Sequence, residues 1–87
     1  MYYLYILFSE NCKRTYTGIS RDVQKRLIQH NSNYNFSTKN CGDWIVIYQE
    51  ECLNRQEARK LEKYFKNGSG REKVKDILSK YLSKKSN

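Results

Sequence analysis

Proline is absent from this chain of 87 residues, glycine occurs four times, and histidine, tryptophan and methionine occur once each. So little proline and glycine excludes a Pro-rich linker or a low-complexity tail. No apolar run is long enough to span a bilayer, and no basic stretch followed by an apolar one reads as a secretory leader. The cysteines, Cys12, Cys41 and Cys52, are odd in number and widely spaced. No C-x-x-C exists to pair with the single histidine, which argues against a zinc site. They read as free structural thiols, and with no leader they point to a reducing, cytoplasmic setting.

What the chain does contain is charge and aromatic surface. It is 38% apolar, 30% charged and 14% aromatic, with a formal net charge of +8. This length suits one small domain, residues 1–87, with a single modest core. The charge is uneven. Residues 1–58 carry seven basic and six acidic side chains, net +1, whereas residues 59–87 carry ten and three, net +7. A basic surface of this kind attracts polyanions, nucleic acid above all. The plainer reading is a solvated helical face with a lysine-rich end. Interleaved tyrosines can stack on bases, although core packing accounts for most of them equally well.

The first residues, Tyr2 to Phe8, form a continuous β-branched, aromatic and aliphatic run, which predicts a strand buried on both faces. Arg14–Ile19 predicts a second strand, and the polar link between them is of hairpin length. Gly18 marks a bulge or a point of close approach to the backbone. Ser20 offers an N-cap for an amphipathic helix over 21–31, with Asp22 in its first turn. A polar, turn-prone loop follows to Gly42, and then a strand over 43–49. Asn54-Arg55-Gln56-Glu57 is a capping-box signature opening a helix with the stripe Ala58, Leu61 and Phe65. Asn67-Gly68 ends that helix, and a last one carries Val74, Ile77, Leu78 and Tyr81. The order β-β-α-β-α-α predicts an α+β fold, a three-stranded, mainly antiparallel sheet flanked by helices.

Four features could carry chemistry. Tyr5 and Tyr16 would converge if the hairpin register puts them on one face; otherwise both are ordinary strand tyrosines. Arg26 and His30 share a helix face, with His30 on the apolar stripe and Arg26 at its rim. A histidine so placed is more often a core residue than a ligand, but the guanidinium beside it needs solvent or an anion. Glu62 is a lone acid among Arg59, Lys60, Lys63 and Lys66. It could form an i,i+4 pair with Lys66, or hold one Mg²⁺, an ion that accepts one or two carboxylates and keeps several waters.

Together these residues resemble the GIY-YIG nuclease superfamily. Tyr3-Leu4-Tyr5 and Tyr16-Thr17-Gly18 resemble its two signature tripeptides, although the first is Gly-Ile-Tyr in the family's pattern. Arg26 falls where the family has its helix arginine, His30-Asn31 looks like the pair that ends that helix, and Glu62 matches its metal-binding glutamate. An asparagine that many members carry after the glutamate has no counterpart at Val74–Ile77. The nearest likeness is to small stand-alone bacterial proteins related to the excision-repair nuclease subunit.

The resemblance implies one-metal phosphodiester hydrolysis in DNA, structure-directed or non-specific and suited to repair or recombination. Glu62 would anchor one divalent cation, Mg²⁺ or Mn²⁺, and Arg26 would hold the phosphate. Tyr5 would activate water, with its pKa lowered or with His30 relaying the proton, and Tyr16 would complete the pair. Lys39, Lys63, Lys66, Arg71 and Lys73 would grip flanking phosphates. The competing reading is a non-catalytic nucleic-acid-binding module or adaptor, with a protein partner or a second copy and no membrane role.

Overall fold

The computed structural model describes residues 1–32 and 41–85. Its order is β1 (Tyr2–Ser9), β2 (Arg14–Ser20), α1 (Val23–Asn31), β3 (Trp44–Cys52), α2 (Arg55–Phe65) and α3 (Gly68–Lys85). The strands form one antiparallel sheet in the order β2-β1-β3. This is the fold expected from the sequence, with β3 running three residues further.

The central position of β1 follows from its composition. Leu4, Tyr5, Ile6, Leu7 and Phe8 are all buried, which only a strand covered on both faces can achieve. Its side chains alternate between two cores. Leu4 and Ile6 pack with Ala58, Phe65 and Val74 of α2 and α3. Tyr5 and Leu7 face the other way, towards Val23 and Leu27 of α1 and Trp44 of β3. Each fully buried side chain of this size contributes about 1.5–3 kcal/mol. No segment among the described residues is a helix long and apolar enough to cross a membrane.

Local chemistry sets the element ends. The cap of α1 is Asp22 rather than Ser20, so the helix starts two residues later than predicted. Asp22 Oδ1 accepts from Lys25 N at 3.1 Å, while Ser20 Oγ accepts from Asp22 N at 2.9 Å and holds the cap in place. Asn54 caps α2 as the signature indicates, accepting from Glu57 N at 3.0 Å. Between α2 and α3, a Cβ on Gly70 would stand 1.8 Å from the Tyr64 carbonyl oxygen. The two helices meet backbone to backbone there, and only glycine fits.

The reading of three free thiols is corrected: Cys12 and Cys41 form a disulfide, with Cα atoms 5.4 Å apart. Pairing Ser9 with Trp44 brings the β1–β2 turn alongside the start of β3. A separation of 29 residues in sequence therefore hides adjacency in space. Cys52 is free and buried. The register of β1 with β2 is unbroken, so Gly18 is not a bulge. The irregularity lies instead between β1 and β3, where Ile6 faces Tyr48 and Leu7 faces Val46.

Candidate active site

Register explains why Gly18 is glycine. Tyr5 lies opposite Gly18, and Tyr16 lies opposite Leu7, so the two tyrosines are diagonal neighbours on one face. Their ring centroids are 6.3 Å apart. A Cβ on Gly18 would stand 2.7 Å from Tyr5 Oη and 2.9 Å from Tyr16 Cε1. The Tyr5 ring thus crosses β2 over Gly18 and carries its hydroxyl towards the free edge of the sheet.

From above this face, α1 delivers Arg26 and His30. His30 is fully buried; its ring centroid lies 4.6 Å from that of Tyr16, and its Nε2 is hydrogen-bonded to Tyr5 Oη at 3.2 Å. Burial, reinforced by the charge of Arg26, holds the His30 pKa down to about 4. The imidazole is therefore neutral at pH 7. Arg26 is partly buried and reaches the hydroxyls of both tyrosines, which raise its pKa and keep it charged. Its Nη1 also donates to Gln29 Oε1 at 2.7 Å. Asn31, next along α1, brackets the backbone of Trp44, donating to its carbonyl at 3.0 Å and accepting from its amide at 2.6 Å. That double bond ties the C-terminal end of α1 to β3.

The Tyr5 phenol is not lowered in pKa, which leaves the relay through His30 of the two routes expected from the sequence. Burial raises its pKa above 10, opposed by a hydrogen bond and the charge of Arg26, and helped by the charges of Tyr16 and Glu62. Glu62 lies on α2, which packs on the opposite face of the sheet from α1. Glu62 Oε1 accepts from Arg59 at 3.4 Å and Oε2 from Lys66 at 3.1 Å, with 13% of the side chain exposed. The i,i+4 pair weighed from the sequence is thus present, together with a second cation.

Two clefts are each lined in part by β2. One, of about 630 Å³, runs between β2 and α3 and is lined by Tyr16, Phe65, Lys66, Arg71, Glu72 and Lys75. The other, of about 500 Å³, lies beyond Arg26, between the beginnings of α1 and α2, and includes Arg59. Glu62, paired with Lys66 on one side and Arg59 on the other, stands between them.

The arrangement gathers a charged guanidinium, two phenols and a neutral imidazole on one face of the sheet, with the Glu62 carboxylate on the helix across it. A family model described as the GIY-YIG catalytic domain matches residues 1–75. The chain belongs to the GIY-YIG family. That places it in a nuclease-type superfamily, for which DNA is the implied substrate. It is similar to the UPF0213 protein SSP2268 of Staphylococcus saprophyticus subsp. saprophyticus, with 35% identity over 79 residues, covering 87% of this chain and 93% of the relative. No solved structure matches it significantly.

GIY-YIG nucleases generally use a divalent metal. Among the described residues, no three His, Cys, Asp or Glu side chains gather as a metal cage. Glu62 fits the simpler arrangement: a hard oxygen donor, partly open to water, suits Mg²⁺ with its remaining ligands supplied by solvent.

Of the backbone-gripping residues expected from the sequence, Lys66 and Arg71 line the cleft beside Tyr16. Lys63 is exposed and lines neither cleft. Lys73 does not join the cleft; it lies in a different groove with Tyr48, Asp76 and Lys80. Lys75, two residues on and turned to the other side of α3, takes its place. Lys39 lies outside the described residues. Sequence reasoning did not bring Lys75 to the first cleft or Arg21, Lys25 and Arg55 to the second, because spacing along a helix shows which residues share a face but not which face meets a cleft.

Proposed function

We propose that this GIY-YIG protein is a divalent-metal-dependent endonuclease that hydrolyses DNA phosphodiesters by a one-metal mechanism. The observation that supports this reading is the meeting of Tyr5, Tyr16, Arg26 and His30 over Gly18 in a chain that belongs to the GIY-YIG family.

Glu62 would hold the cation, which when bound supplies a Lewis acid for the phosphate and the leaving oxygen. Arg26 engages the non-bridging oxygens by charge-assisted hydrogen bonds and offsets the charge that grows on them. Tyr5 stays protonated at neutral pH, so its oxygen serves first as an acceptor that positions the attacking water. With the ring proton of His30 on Nδ1, Nε2 accepts the Tyr5 proton as the phenol oxygen takes one from that water. In the free protein this relay is held back by burial and by Arg26. A phosphodiester bound on Arg26 offsets that second influence and makes the imidazole more basic. Tyr16, against the imidazole, fixes the ring and shares Arg26.

Lys66, Arg71 and Lys75 provide phosphate contacts without base recognition, which supports structure-directed or non-specific cleavage of the kind repair or recombination uses. The test is a panel of labelled duplex, nicked, branched and single-stranded DNAs incubated with Mg²⁺ or Mn²⁺. We expect cleavage that EDTA abolishes and that Glu62→Ala lacks while retaining salt-sensitive binding. A folded wild-type protein that binds these DNAs but cuts none with either metal would leave a binding module on a nuclease scaffold.

A further inference from the structure

The cleft beyond Arg26 carries more positive charge than the one beside Tyr16, and all its cations but Arg59 come from the part of the chain whose overall charge is nearly balanced. Arg21, Lys25 and Arg26 approach from the α1 side, Arg55 and Arg59 from α2. Asp22 is the one acid in its lining, and its carboxylate is committed to capping α1.

The partners of these cations set them apart. On α2 and α3, Arg59, Lys60, Lys66, Lys75 and Lys80 each pair with a carboxylate three or four residues away, Arg59 being the one cation of the cleft that does so. Among the described residues, Arg21, Lys25, Arg26 and Arg55 form no such ion pair. Arg26 spends one nitrogen on the neutral amide of Gln29. Arg21 lies 5.8 Å from the centroid of the Tyr2 ring, which restrains its guanidinium without neutralising it. Like charges converging on one concave surface repel one another, and the wall lacks the acids that compensate cations elsewhere on the molecule. A polyanion entering the cleft would supply that compensation.

We propose that this cleft is a second backbone subsite, holding nucleic-acid phosphates on the Arg26 side of the scissile position. It deepens the nuclease reading and rests on it. The strand enters past Lys66, Arg71 and Lys75, crosses Tyr16 and Arg26, and leaves past Arg21, Lys25 and Arg55. Both clefts are then filled only by a strand that continues on either side of the cut, which specifies internal cleavage rather than removal of a terminal nucleotide. The ligand chemistry is a chain of phosphodiesters, read by charge and not by base.

The experiment is fluorescence-anisotropy titration of a short labelled duplex in EDTA at several salt concentrations. Three proteins are compared: wild type, Arg21→Gln/Lys25→Gln, and Lys80→Gln/Lys84→Gln. The last removes the same charge from the groove between α3 and β3. Circular dichroism verifies that all three fold. Two lost phosphate contacts lower the magnitude of the slope of log affinity against log salt by about 1.8 and weaken binding by at least roughly tenfold at moderate salt. The Lys80/Lys84 variant is expected to keep the wild-type slope. Equal losses in both variants would show a response to net charge alone, and an unchanged Arg21/Lys25 variant would show no contact; either overturns the subsite. If wild type shows no salt-dependent binding, the nuclease reading falls with it.

Discussion

Substituting Gly18 with alanine puts the geometry of the site to a sharp test, because one methyl group meets both tyrosines. Its carbon would lie 2.7 Å from Tyr5 Oη, 2.9 Å from Tyr5 Cζ and 2.9 Å from Tyr16 Cε1. Comfortable carbon contacts are about 3.5–4.0 Å, so the rings must withdraw by roughly 0.6 Å or more. Tyr5 has little room to do so: it is 1% exposed and is bonded to a histidine that is 0% exposed. Overpacking of this kind costs about 1–3 kcal/mol. Replacing glycine within a strand returns about 0.5–1 kcal/mol, leaving a net loss of up to about 2.5 kcal/mol. Urea unfolding followed by tyrosine and tryptophan fluorescence measures it. A double-mutant cycle with Tyr16→Ala, which removes one of the crowded rings, should recover part of the loss as a coupling of about 1 kcal/mol. Cleavage should suffer more than stability, since displacing catalytic groups by an ångström costs about 10²-fold in rate. A Gly18→Ala protein with the wild-type urea midpoint and full cleavage would refute the crossing of Tyr5 over Gly18, and the site built on it.

Gly70→Ala should lower the melting temperature markedly with no special effect on the catalytic groups, because its methyl would strike the Tyr64 carbonyl at 1.8 Å; thermal melts followed by circular dichroism check this. His30 is depressed to about 4 from 6.5, so the unfolded chain takes up the proton first as pH falls. The stability it contributes is complete above pH 6.5 and is lost between pH 6.5 and 4, on the order of 3 kcal/mol in all. Urea titrations across that range should show a shallower dependence in His30→Gln than in wild type. Arg26→Ala should lose more cleavage rate than DNA affinity, by a factor of about 10² or more, as single-turnover kinetics and anisotropy measured on the same substrate would show.

The elements were legible where one physical signal dominated. Tyr2 to Phe8 has no polar break, and a strand buried on both faces is the structure such a run adopts. Asn54 and Glu57 announced the start of α2 through capping chemistry that is wholly local. Asp22 took the place of Ser20 because either residue can cap, and the hydrogen bond from Asp22 N to Ser20 Oγ decides between them. Tyr5, Tyr16, Arg26, His30 and Glu62 were singled out through the family's spacing, and close approach at Gly18 was one of two readings, but which side chain approaches it was not legible. That depends on register, which brings Tyr5 opposite Gly18. The Cys12–Cys41 pair and the cleft of Arg21, Lys25 and Arg55 were hidden for a related reason. Each joins residues from separate elements, and charge counted along the chain assigned the basic surface to its C-terminal third alone.

The central claim is that one sheet edge assembles a cutting site from Tyr5, Tyr16, Arg26 and Glu62. Single-turnover cleavage of a labelled branched DNA in Mg²⁺, at protein concentrations that saturate binding, tests it most directly with Tyr5→Phe, Tyr16→Phe, Arg26→Ala and Glu62→Ala beside the wild type. Wild type is expected to cut, and Arg26→Ala and Glu62→Ala to fall by at least about 10²-fold, with both tyrosine variants clearly impaired and all four still bound. A Glu62→Ala protein that cuts the bound DNA at the wild-type rate would contradict the claim.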